Sequence, residues 1–200
     1  MVSISPQKIA GVWDMGFVLD LHTKSSTLLG YDEFGHEVFD TKRSELGELL
    51  YKLKYKGDRS VLNDILYCVI EFLQKKWKII DSLNLIVPMP PSNTSRPSQP
   101  VIDLARGISS KTGIRLEEDA LVKIKETPQL KDIHAYQQRI DILEGAFKTK
   151  KSVTQGKTLL LFDDLYRSGA TLNIASQVLR QQGNAKTIYV LALTKTRSKL

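Results

Sequence analysis

Two hydrophobic rhythms divide the chain. Between residues 44 and 76 apolar side chains recur every three or four positions, whereas further on they gather in short unbroken runs. The first rhythm is helical. Ser44 can cap a helix whose first turn holds Glu45 and Glu48 and whose apolar stripe is Leu46, Leu49, Leu50 and Leu53; Gly57 ends it. A second helix over 60–76 places Leu62, Ile65, Leu66, Val69, Ile70 and Leu73 on one side. Further helices are predicted over 101–111, 133–143 and 170–182. The second rhythm predicts buried strands at 83–88, near 121–124, at the run beginning with Thr158, and at 187–193, with another strand after the turn at 144–148. Pro88, Pro90 and Pro91 stop the strand at 83–88, because proline cannot continue a ladder. Near the N-terminus, Phe17-Val18-Leu19 and Glu37-Val38-Phe39 are short apolar pieces separated by turn residues, which predicts a hairpin.

Strand, polar loop and helix alternate across 82–195 without repeats or low-complexity tracts. That order predicts an α/β fold, a Rossmann-like open parallel sheet with helices on both faces. The expected division is an N-terminal hairpin appendage or hood at 1–43 and a core domain at 44–200.

Composition changes this picture little. The chain has 200 residues, enough for one domain with a substantial core. Its single cysteine, Cys68, rules out a disulfide framework and a cysteine-rich zinc site, and points to a reducing compartment. Residues 1–10 lack the apolar core of a signal peptide and no segment is long enough to span a bilayer, so the expectation is a cytoplasmic protein without membrane contact. The net charge of +7 suits polyanionic ligands, either nucleic acid or a nucleotide precursor with several phosphates. Within that charge, residues 51–59 interleave tyrosines with lysines. This mixture fits a single-stranded nucleic-acid face, but it equally fits C-terminal lysines complementing a helix dipole, the favoured reading. The terminal Ser198-Lys199-Leu200 matches a peroxisomal address in form, but a tripeptide is too short to weigh.

The chemistry concentrates between Thr158 and Leu172. An apolar run, Leu159 to Phe162, reads as a buried strand ending at two carboxylates, Asp163 and Asp164; Ser168, Gly169, Ala170 and Thr171 then open a helix. Free backbone N–H groups, hydroxyls and a helix N-terminus attract phosphate. Two adjacent acids would repel a bare phosphate, so the ligand should also carry hydroxyls or a metal. A phosphorylated sugar meets both conditions.

This stretch resembles the phosphoribosyl-diphosphate (PRPP) motif of the type I phosphoribosyltransferases. The resemblance implies that Asp163 and Asp164 hold the ribose hydroxyls, and Mg²⁺ carried with PRPP, while Ser168, Gly169, Ala170 and Thr171 grip the 5′-phosphate. Arg167 stands where that family usually has a small hydroxylated residue. The loop after the strand at 83–88, with Met89, Pro90, Ser92 and Arg96, becomes the expected diphosphate loop. Lys125, Lys131, His134 and Arg139 are expected on a closing lid, with Lys125 and Arg139 the candidate catalytic cations. Further fragments resemble ComF-like proteins, phosphoribosyltransferase-like proteins of bacterial DNA uptake: residues 54–58, Val87-Pro88-Met89-Pro90, Thr127-Pro128-Gln129-Leu130, Arg139, and Glu144-Gly145-Ala146-Phe147. Many of those begin with a cysteine-rich zinc module that this chain lacks, and their basic segment after the first loop is altered here to Arg96-Pro97-Ser98-Gln99-Pro100.

The resemblance implies the type I phosphoribosyltransferase fold, a Mg²⁺-dependent transfer of 5-phosphoribosyl to a nitrogen acceptor, and release of diphosphate. The alternative is a non-catalytic PRPP-binding regulator of DNA uptake. The partners to expect are PRPP and an unidentified acceptor, with a homodimer, a helicase or single-stranded DNA as further candidates. The acceptor would sit under a hood built from the chain ends.

Overall fold

A computed structural model describes residues 2–91, 99–127, 133 and 135–197. Six strands form the main sheet in the order β1-β2-β10-β9-β5-β6: Gln7–Ile9 (β1), Met15–Leu21 (β2), Leu85–Pro88 (β5), Arg115–Leu116 (β6), Thr158–Tyr166 (β9) and Thr187–Lys195 (β10). Only β1 runs antiparallel to its neighbour. The expected open, mainly parallel α/β sheet is therefore present. Its central strands are apolar on both sides because helices cover both faces. Leu159, Leu161 and Val190 pack on one face and Leu160, Phe162 and Leu191 on the other, each fully buried.

The connections fix where a ligand can enter. From β5 the chain passes through the helix Pro100–Thr112 (α3) to β6, while from β9 it passes through Ala170–Gln181 (α6) to β10. The two crossovers leave neighbouring strands in opposite directions. Leu104 and Ile108 of α3 pack on one face, Leu172 and Leu179 of α6 on the other. The ends of β5 and β9 thus make a topological switch point, where open α/β sheets form a crevice.

One expected boundary is corrected. Met15–Leu21 belongs to the main sheet, in parallel register with β10 from Tyr189↔Met15 to Lys195↔Leu21, rather than to the appendage. Phe17-Val18-Leu19 gave the same short apolar signal for either arrangement; the burial supplied by β10 decided it. The hairpin itself is Thr23–Tyr31 (β3) with Glu37–Arg43 (β4), and it starts where β2 leaves the sheet. Its apolar Leu29, Tyr31 and Phe34 are exposed.

The helix Glu45–Tyr51 (α1) is fastened to the end of β2. Ser44 Oγ donates to the Leu21 carbonyl (2.5 Å) and accepts from the Gly47 N–H (2.9 Å), so one hydroxyl caps the helix and anchors it. A Cβ on Gly47 would lie 2.2 Å from the His22 carbonyl oxygen. That contact is with backbone, which cannot swing aside. Gly47→Ala is therefore expected to destabilise the protein by about 1–3 kcal/mol, read as a lowered melting temperature in a circular-dichroism melt.

After α1 the helix widens into a π-type turn, Lys52–Lys56, closed by Gly57 at φ +66. Arg59–Val61, the helix Leu62–Glu71 (α2) and a second π-type turn, Phe72–Trp77, complete the expected second helix. On the opposite face a small antiparallel pair, Leu121–Lys123 (β7) and Phe147–Thr149 (β8), flanks the helix Tyr136–Leu143 (α4); a short helix Lys151–Thr154 (α5) leads to β9. Of the expected helix at 133–143 the structure shows Tyr136–Leu143, with the Ile133 carbonyl accepting from the Arg139 side chain at 2.6 Å. Among the described residues no helix is long and apolar enough to cross a membrane.

Candidate functional site

The site is built where β9 becomes α6. Sequence reading ends the strand before the acids, but β9 continues to Tyr166, with Asp163↔Ala192 and Leu165↔Thr194 still in register. This is a correction with a chemical consequence: side chains alternate along a strand, so neighbouring acids face opposite ways. Asp163 continues the side of Leu159 and Leu161 and lines the cavity beneath the loop. Asp164 continues the side of Leu160 and Phe162, where its Oδ2 meets Lys54 Nζ at 2.6 Å.

The loop 167–169 turns the chain into α6. Gly169 is the N-cap residue, at φ +78, and a Cβ there would lie 2.8 Å from Tyr166 Oη. The positive φ favours glycine, and the close phenol leaves little room for a side chain. The first helical bond inward is from Asn173 N to the Gly169 carbonyl (2.8 Å), so the N–H groups of the preceding turn lack intrahelical acceptors. A helix N-terminus of this kind attracts anions. Ser168 Oγ accepts from Arg139 Nη1 at 2.7 Å, which brings α4 onto the loop. Asn173 adds a second tie, donating to Tyr136 Oη at 2.8 Å. The resulting cavity of about 70 Å³ is lined by Asp163, Arg139, Arg167, Ser168, Gly169 and Thr171, with Ala170 beside them. Its size suits one tetrahedral anion, with the rest of a larger ligand outside it.

Electrostatics separate the two acids further. Burial, and then the charge of Asp164, push the Asp163 carboxyl up to about 7, against the opposing pull of the Asp164 N–H and of Lys54. The Asp164 N–H donates to Asp163 Oδ1 at 2.8 Å. On the other side, the Lys54–Asp164 pair is largely shielded from water, with side-chain exposures of 16% and 11%. Beside it, Thr194 Oγ1 donates to the Asp164 carbonyl (3.3 Å) and lies 3.2 Å from His22 Nδ1. Burial, and then Arg43 and Lys54, hold the His22 imidazole below its ordinary value.

The structure thus joins Arg139, Asp163, Arg167, Ser168, Gly169, Ala170 and Thr171 at one cavity and moves Asp164 to the other side of the strand. Met89 and Pro90 stand at the adjacent strand end: the Met89 N–H donates to the Phe162 carbonyl at 2.8 Å. Lys125 is exposed and does not line the cavity. Ser92, Arg96, Lys131 and His134 lie outside the described residues. Lys54, His22 and Thr194 are the residues missed as a group. A signal for Lys54 was present: it follows Leu46 and Leu50 at four-residue intervals, on the buried stripe of the helix. His22 carried none.

No protein-family model matches the chain. It is 26% identical over 163 residues to the competence protein ComFC of Bacillus subtilis (strain 168), covering 78% of this chain and 62% of that protein. The chain therefore spans under two thirds of the curated relative's length. Among solved structures it is similar to adenine phosphoribosyltransferase of Leishmania tarentolae, at 11% identity and TM-score 0.47 over 96% of this chain and 94% of that one. The adenine phosphoribosyltransferase of Saccharomyces cerevisiae, complexed with an imino-altritol bisphosphate and adenine, gives 12% identity and TM-score 0.46, over 84% and 83%. Likenesses this distant add little to the sheet topology. The ComFC similarity is in line with the ComF-like fragments of the sequence.

Proposed function

We propose that the chain binds PRPP and transfers its 5-phosphoribosyl group to a nitrogen acceptor with release of diphosphate. One observation carries the reading: a cavity at the switch point in which a glycine-started helix N-terminus, a serine, a threonine and an arginine converge beside one inward carboxylate. Ser168, Gly169, Ala170 and Thr171 would hold the 5′-phosphate through N–H groups and hydroxyls. Asp163 would accept from the ribose diol. Arg139 and Arg167 add positive charge at the cavity wall. Diphosphate would lie toward the loop that leaves β5 at Met89 and Pro90.

As the glycosidic carbon takes on oxocarbenium character, negative charge grows on the departing diphosphate, so donors and cations matter more than a strong base. Among the described residues no group of three or more His, Cys, Asp or Glu could hold a metal by itself. A magnesium ion held mainly by ligand phosphates would need only the Asp163 carboxylate, which lines the cavity, from this chain. Such an ion would supply charge neutralisation at the departing diphosphate. The similarity to a competence protein favours an alternative role in DNA uptake; in that reading the chain would bind PRPP without catalysis and act through a partner.

The test is diphosphate release from PRPP and Mg²⁺ in the presence of a panel of nucleobases and amines. Release with one acceptor is the expected result. Association of PRPP without release favours the binding protein, and no association contradicts both. Ser168→Ala, which removes a hydroxyl from the phosphate cradle, is expected to weaken PRPP association about tenfold, since a hydrogen bond to a charged group contributes about 1.5–3 kcal/mol. The calorimetric affinity of the variant checks this.

A further inference from the structure

Two acids next to each other on one strand are a poor neighbour for a phosphate. At separations of several ångströms inside a protein, charges of like sign still repel appreciably. In this chain the second carboxylate does not stand alone. Lys54 arrives from a helix more than a hundred residues earlier in sequence and closes on Asp164 at 2.6 Å, in a place mostly closed to water. The π-type turn at Lys52–Lys56 delivers it, and Leu53 beside it is buried in the core. Helices with such turns frequently carry functional side chains. The arm is tied to the end of β2 by the Ser44–Leu21 bond, so the ammonium is placed by the fold rather than by a free surface side chain.

We propose that Lys54 is a positioning residue for anion binding: it cancels the charge of Asp164, so that the phosphate cavity on the other side of β9 meets the field of one carboxylate instead of two. The proposal rests on the PRPP reading given above and adds a residue that touches neither the phosphate nor the ribose. Lys54 acts through Asp164. Its removal leaves an uncompensated, largely buried negative charge beside the cavity, which an anionic ligand must then overcome. Removal of that carboxylate as well takes the repulsion away. A lysine that contacted the ligand directly, or that only supported the helix, would not give this reversal.

The experiment is titration calorimetry of PRPP in magnesium buffer with the full chain and four variants: Lys54→Met, Lys54→Arg, Asp164→Asn and the double Lys54→Met/Asp164→Asn. Lys54→Met is expected to weaken association about tenfold, corresponding to about 1.4 kcal/mol. Lys54→Arg should stay within about threefold of the wild type, since the charge is kept. The double variant should regain most of the affinity that Lys54→Met loses. Thermal melts of each variant check folding; should Lys54→Met fail to fold, the double variant and Lys54→Gln take its place in the comparison. Wild-type affinity in Lys54→Met, or a double variant weaker than either single one, overturns the proposal while leaving the PRPP reading intact. Absence of PRPP association in the wild type overturns both.

Discussion

Replacing Asp163 by asparagine is expected to remove nearly all measurable association with PRPP and, at the same time, to make the protein more stable above neutral pH. The carboxylate lines the cavity and would accept two hydrogen bonds from a diol. Two such bonds to a charged acceptor, at about 1.5–3 kcal/mol each, correspond to at least about a hundredfold in affinity. The stability effect has the opposite sign. The Asp163 carboxyl is raised from its ordinary 3.8 to about 7 by burial and by Asp164, so the folded protein holds its proton more tightly than the unfolded chain does. That preference stabilises the fold fully below the ordinary value and is lost as pH rises toward and through about 7. Asparagine never carries the buried charge. Melting temperatures between pH 4 and 8 should therefore diverge in favour of Asp163→Asn as pH rises; parallel curves would show that burial does not strain the wild-type carboxylate. The gain in stability with a loss of binding is the signature expected where function retains an unfavourable group.

Gly169→Ala carries the second large effect. At φ +78 an alanine costs about 1–2 kcal/mol in backbone strain alone. Its methyl group would also lie 2.8 Å from Tyr166 Oη, so the phenol would have to shift within the cavity wall it lines. Loss of this turn disturbs the aim of the first N–H groups of α6. The melting temperature should fall by several degrees, at about 2–4 °C per kcal/mol for a chain of this size. PRPP association should weaken by about tenfold or more, as removal of a single charge-assisted bond would already do. A variant that melts lower but binds unchanged would separate the turn from the ligand site.

The parts of the molecule that were legible in the sequence are those whose signals are local. Leu159 to Phe162 followed by Asp163 and Ser168-Gly169-Ala170-Thr171 gave the strand, the turn and the helix start, because each is set within a few residues. Ser44 and Gly57 likewise bounded the helical segment that holds Lys54. What was not legible depends on distant partners. Asp163 and Asp164 read as a pair, but the extra ladder positions supplied by β10 keep the strand straight through both and turn them apart. The membership of β2 in the main sheet was decided by the same strand, about 170 residues away in sequence. Arg139 was expected on a lid; that it reaches Ser168 depends on α4 lying against α6, which no pattern within 133–143 specifies.

The most direct test of the account is a calorimetric titration of PRPP into the protein in magnesium buffer, run beside Asp163→Asn. The account predicts saturable one-to-one binding by the wild type, competed by ribose 5-phosphate, and its near-complete loss in the variant. No heat of association, or equal binding by both proteins, would contradict it.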